Sequence, residues 1–118
     1  MIPIPSQFDQ KDPREQIVIT FDATAMLASG ETLTSIASTS ITTTIGADAT
    51  PALVLSGEII NGSPLTLLNG KTIAAGCAVQ AVASAGTFAS TYWIAITCAT
   101  SNPNKTLTLK ASLPMASQ

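Results

Sequence analysis

The residues able to do chemistry are few, and their spacing brings none of them together. The carboxylates are Asp9, Asp12, Glu15, Asp22, Glu31, Asp48 and Glu58, set against five basic residues and no histidine. Histidine is the side chain that titrates near neutrality and the commonest metal ligand, so its absence removes the usual general base and metal anchor. Two carboxylates could act together as acid and base, but nothing in this spacing pairs them. Asp48, within Gly46-Ala47-Asp48-Ala49-Thr50-Pro51, reads as a turn residue bonding its own backbone. The serines have no base partner and no nucleophile-elbow pattern. Neither G-x-x-x-x-G-K nor G-x-G-x-x-G occurs. The pattern argues against an enzyme and implies no catalytic residue, no metal and no cofactor.

Cys77 and Cys98 are too few for a zinc site. If the strands on either side of their connecting loop pair, the two thiols fall close to opposite each other, both facing inward. Buried free thiols acting as small hydrophobes are the default for a protein made in a cytoplasm. A disulfide formed after release from the cell is the alternative. Asn61-Gly62-Ser63 and Asn104-Lys105-Thr106 match glycosylation sequons, but no basic stretch followed by an apolar run opens the chain, so they read as turns. Tyr92-Trp93 offers one aromatic to each face. With Tyr92 inward, Trp93 points outward, to anchor a subunit contact or to lie under a loop of its own chain.

The elements that must position these residues read as strands. The chain has 118 residues, enough for one domain with its own core; 46% are hydrophobic but only 4% aromatic, and Ser and Thr supply 29 positions. β-branched residues alternating with Ser and Thr fit a pleated sheet with one wet face. A net charge of −2 with five basic residues argues against nucleic acid and against a polybasic membrane contact. No apolar run approaches the roughly 20 residues that span a bilayer.

Residues 1–14 stand apart as an extended N-terminal arm ahead of a sandwich over 15–118. Pro3, Pro5 and Pro13 suit an extended arm or an edge segment, and five of the twelve charges lie between Asp9 and Glu15. That segment is a solvated lead-in or an arm that docks on a neighbour. Ile17, Ile19 and Phe21 then alternate as a first strand, and a single helical turn fits near residues 23–28. The Thr-rich stretch 32–45 slips in phase between Leu33 and Ile36, which predicts a bulge or a change of partner. Residues 52–60 read as a central strand, and Asn69-Gly70 predicts a tight two-residue hairpin turn. Cys77, Val79 and Ala81 share one face; Tyr92, Ile94, Ile96 and Cys98 share another; Leu107, Leu109, Ala111 and Leu113 alternate cleanly. Seven or eight short strands predict an all-β sandwich.

Several stretches recur together in a known type of sequence: Lys11-Asp12-Pro13-Arg14-Glu15, Phe21-Asp22, and the run from Leu27 through Ser29-Gly30-Glu31-Thr32-Leu33 to Ser35. Downstream follow Ala85-Gly86-Thr87, Tyr92, Ile94-x-Ile96-x-Cys98-Ala99-Thr100-Ser101 and a closing strand ending Leu113-Pro114. Over roughly residues 11–114 the chain resembles the small immunoglobulin-like proteins of tailed bacteriophages described as fibre–tail adaptors. It departs from them at Asn102-Pro103-Asn104, where a glycine turn is expected, and in extra length around 65–75. The resemblance implies an immunoglobulin-like virion protein in the tail region, assembled in the host cytoplasm and present as a ring. Its partners would be copies of itself, fibre proteins, and tail-tube or portal-proximal tail proteins, with no nucleic acid and no membrane. The expected contacts are Pro3, Pro5, Lys11, Asp12 and Arg14 in the arm, Asn61 and Asn69 in the region 61–70, Phe88 in the loop 83–90, and Trp93. A capsid decoration protein and a carbohydrate- or receptor-binding fibre module are the other readings of the same composition.

Overall fold

The computed structural model describes residues 6–8, 10–46, 52–67 and 70–116. The chain is all-β, with two antiparallel sheets packed as a sandwich and a small separate hairpin. β1 (Ser6–Gln7), β2 (Ile17–Asp22), β3 (Leu33–Ile45), β4 (Leu53–Ile60), β5 (Leu65–Thr66), β6 (Thr72–Ile73), β7 (Ala78–Ala85), β8 (Thr91–Thr100) and β9 (Thr106–Pro114) follow in chain order. One sheet runs β1-β9-β8-β3, with β1 parallel to β9; the other runs β2-β7-β4; β5 and β6 pair alone. A single 3-10 turn, Thr24–Met26, follows β2 where one helical turn was expected.

The alternation decides what lies between the sheets. Tyr92, Ile94, Ile96 and Cys98 of β8 are fully buried, as are Ala111 and Leu113 of β9, with Leu107 and Leu109 nearly so. Ile19 and Phe21 of β2 and Val79, Ala81 and Ala83 of β7 face them from the other sheet. Each strand thus gives one face to the core and the other to solvent, as the period of two requires. Removing this aliphatic surface from water drives the fold, each large side chain contributing about 1.5–3 kcal/mol. Phe8, just after β1, meets Phe21 edge to face at 5.1 Å, so the first described residues already belong to the core.

Three expectations are corrected here. First, β7 and β8 are not neighbours: the chain crosses between sheets after β7, so Cys77 and Cys98 do not face each other across a strand pair. Cys98 sits opposite Ile36 and Leu107, while Cys77 packs in a separate small cluster with Ile73 and Ala78. Both cysteines are free and buried. Second, among the described residues β4 is an edge strand, paired with β7 alone. Third, the β5–β6 turn is not a two-residue one: Leu67 N–H bonds the Lys71 carbonyl, Gly70 N–H bonds the Leu67 carbonyl, and Gly70 takes the left-handed position at φ +85°. Within the expected arm, β1 hydrogen-bonds along β9 as an edge strand, one of the two forms the prolines there suit.

The long Thr-rich stretch forms one strand, β3, and keeps β8 as its partner throughout. Its register shifts between Leu33 and Ser35 and again between Ile36 and Ser38, where the phase of the sequence slips.

Candidate assembly surface

Three segments distant in sequence close one end of the sandwich. Lys11 bridges in parallel to Met115, donating its N–H to the Pro114 carbonyl at 3.0 Å and accepting from Ala116 N–H at 2.7 Å. The loop after β7 joins from the other side: Met115 N–H donates to the Ser90 carbonyl at 2.8 Å and Ala89 N–H to that of Ala116 at 2.9 Å. Tyr92, at the start of β8, accepts the Thr87 N–H on its phenol oxygen at 3.0 Å. Ala85, Gly86 and Ala89 all have positive φ, at +61°, +104° and +63°. For alanine that conformation costs about 1–2 kcal/mol each, so it persists because the surrounding bonds fix it.

Lys11 is one of those bonds. Its side chain is fully buried, and its ammonium donates to the Ala85 carbonyl at 2.7 Å and to that of Asp12 at 2.9 Å. Burial lowers its pKa, against the opposing pull of Glu15 and Asp12. Lys11, expected as a contact residue, uses its ammonium as an internal strut.

Asp12 and Arg14 stay outside. Asp12 accepts the Arg14 N–H at 2.8 Å, then holds the guanidinium at two points, Nε at 2.9 Å and Nη2 at 2.7 Å. These hydrogen bonds from Arg14 hold the Asp12 carboxyl well below the usual carboxylate range. The Arg14 side chain is 80% exposed, with its guanidinium carbon 5.8 Å from the centre of the half-buried Phe88 ring. Three expected contact residues thus meet at one spot, presenting a guanidinium already fixed in place.

Asn61, also expected as a contact residue, is likewise engaged within the fold. It is buried, with Nδ2 donating to the carbonyls of Ser63 and Ala74 and Oδ1 accepting the Ala78 N–H, so it ties the β5–β6 hairpin to β7. Pro3, Pro5 and Asn69 lie outside the described residues. Trp93 does point outward, half-buried between Thr42 and Ser112 on the outer face of the four-stranded sheet.

No family model, curated protein or solved structure matches the chain. What the site can do is read from its own geometry.

Two features escape a reading of the sequence alone. Glu31 accepts from Lys105 Nζ and Ala28 N–H, each at 2.7 Å, and from the Thr100 hydroxyl at 2.8 Å, while Lys105 also donates to the Met26 carbonyl. These partners lie up to 74 residues apart, so no local spacing marks them. The other is the outer face of the β2-β7-β4 sheet. Val18, Val54 and Ile59 are 62%, 51% and 59% exposed there, with the half-buried Val82 opposite Val18. Val18 alternates with Ile17 and Ile19 in the sequence, but Val54 and Ile59 lie in a continuously apolar run that gives no sign of an outward face.

Proposed function

We propose that the chain is a non-enzymatic structural component of a bacteriophage virion, an adaptor that joins fibres to the tail through its own ring-like assembly. The strand arrangement supports the immunoglobulin-like part of this reading. Taking β2, β3, β4, β7, β8 and β9 as strands B, C, D, E, F and G gives B-E-D packed against C-F-G. Tyr92, at the start of strand F and hydrogen-bonded to backbone five residues upstream, fits the tyrosine corner of such sandwiches.

The observation that carries the assembly reading is the closed end built from 11–15, 85–90 and 114–116. A protein that joins others must present contacts that lose little entropy on docking. Arg14, pinned by Asp12 and set over Phe88, is such a contact, because exposed arginine and aromatic groups dominate binding energy at interfaces.

The test is the copy number of the protein per purified particle, by quantitative mass spectrometry against the major capsid protein. A dozen to a few dozen copies is the expected result for a tail ring. Hundreds of copies would make it a capsid decoration protein, and absence from the particle would overturn both.

A second reading rests on Trp93. It stands on an outer sheet face made mainly of Ser, Thr and Ala, with Lys110 along it and Ile45 and Pro114 beside Thr91 at one end, which suits a carbohydrate-binding module of a fibre. Binding on a glycan array that is lost in Trp93→Ala would favour it over the adaptor.

A further inference from the structure

The four sheet edges are guarded unequally. Among the described residues, sheet order leaves β1 and β3 at the edges of one sheet, β2 and β4 at those of the other. An edge strand carries a row of unpaired backbone groups, and natural sheets blunt such rows with charge, proline, bulges or shortness. β1 has two residues. β2 is entered through the charged pair Arg14 and Glu15. β4 shifts register between Ser56 and Ile59, with Gly57 at φ +61° and the carboxylate of Glu58 beside it. β3 runs 13 residues, LTSIASTSITTTI, with neither a charge nor a proline. Its register shifts lie toward its two ends, leaving residues 38–43 in regular pairing with β8. Ser38, Thr39, Ser40 and Thr42 are exposed there, and Ile41 is half-buried.

We infer that β3 docks a second copy of this chain, the two β3 strands pairing antiparallel across a two-fold axis at Ser40. Residues directly opposite in an antiparallel pair point to the same face, which restricts the register to residues of equal parity. A centre at Ser40 sets Thr39 opposite Ile41 of the second copy on the inner face. It sets Ser38 opposite Thr42 of the second copy on the outer face. The strand is its own complement. No like charges meet, Ile41 gains apolar cover, and hydroxyls face hydroxyls. The sheet already holds one contact of that kind, with the Thr97 and Thr108 hydroxyls 3.2 Å apart in the row that Ser38 begins. A charged peptide would find no counter-ion along this edge. An isologous pair also closes on itself and makes a dimer, not a filament. The inference does not depend on the virion reading.

Sedimentation velocity of the purified chain, from about 1 to 100 µM, tests it. A monomer–dimer equilibrium is expected. Ser40→Lys, which sets two ammonium groups opposite each other at the axis, should raise the dissociation constant about tenfold or more. Val18→Lys, on the outer face of the other sheet, should leave the dimer in place. Amide exchange of the wild-type chain keeps the test open if a variant folds poorly: exchange within 38–42 should slow as concentration rises. A monomer throughout, a dimer that survives Ser40→Lys, one lost only on Val18→Lys, or exchange indifferent to concentration would each overturn the inference.

Discussion

Arg14 lies over the ring of Phe88, 74 residues away in sequence, with its guanidinium carbon 5.8 Å from the ring centre and its other side held by Asp12. The contact costs the fold little to lose, since an exposed pair of this kind contributes about 0–1 kcal/mol. Arg14→Ala is therefore expected to shift the unfolding free energy by about 1 kcal/mol or less. On the proposed adaptor reading, in which a partner meets the fixed guanidinium, the same variant should be taken into particles poorly. Denaturant unfolding together with copies per particle checks both halves. A large loss of stability with normal incorporation would make Arg14 a structural residue.

Asn61 is where stability is concentrated. Its amide makes three hydrogen bonds at 2.9–3.0 Å, and the Ala78 N–H it accepts belongs to a fully buried residue. Asn61→Ala should cost about 1–3 kcal/mol, because the N–H of the fully buried Ala78 is left without its acceptor. Asn61→Asp keeps the acceptor but turns a carboxylate toward the Ser63 and Ala74 carbonyls, so at neutral pH it should be at least as damaging. Urea midpoints of the two variants against the wild type check this.

These two sites mark how far the sequence could be read. The alternation of Tyr92, Ile94, Ile96 and Cys98 and of Leu107 to Leu113 was legible because the period of two is local, and it placed the core correctly. The bulges of β3 were legible because Leu33 and Ile36 break that period. What failed was pairing. Adjacency in the chain does not give adjacency in space: β7 and β8 lie in different sheets. Burial of polar groups failed for the same reason. Lys11 and Asn61 carry no local sign of lying inside, since the carbonyls of Ala85 and Ala74 that bind them come from distant segments.

Gly86 should not tolerate a side chain. Its φ of +104° is a conformation that L residues rarely adopt, and a Cβ there would run into the Met115 methyl. Gly86→Ala should cost about 2 kcal/mol or more from backbone strain and the clash together. Adding Met115→Ala removes the clash but not the strain. The double variant should then be about 1 kcal/mol more stable than the sum of the single changes predicts. Additive effects would show that the methionine end moves aside without cost.

Glu31 should be one of the carboxylates that set the acid side of the stability profile. The Lys105 ammonium, followed by the Ala28 N–H and the Thr100 hydroxyl, lowers its pKa from 4.5 to about 2. The unfolded chain then binds the proton more readily than the folded one. The contribution of Glu31 is present in full above about 4.5 and is lost as pH falls toward about 2. Glu31→Gln cannot titrate and meets Lys105 without charge, so it should be less stable than the wild type at pH 7. The gap should narrow steadily between pH 4.5 and 2, the window that those two values bound. Asp12 and Asp22 are also held below the usual carboxylate range, Asp12 by hydrogen bonds from Arg14. For Asp22, burial pushes upward but is outweighed by bonds from Lys71 and Thr24. The acid limb of the variant should therefore flatten without vanishing. Urea unfolding of both proteins across that range decides it. A gap of constant size would mean that Glu31 holds its partners as well protonated as charged, and that the link between Glu31 and Lys105 is a matter of shape.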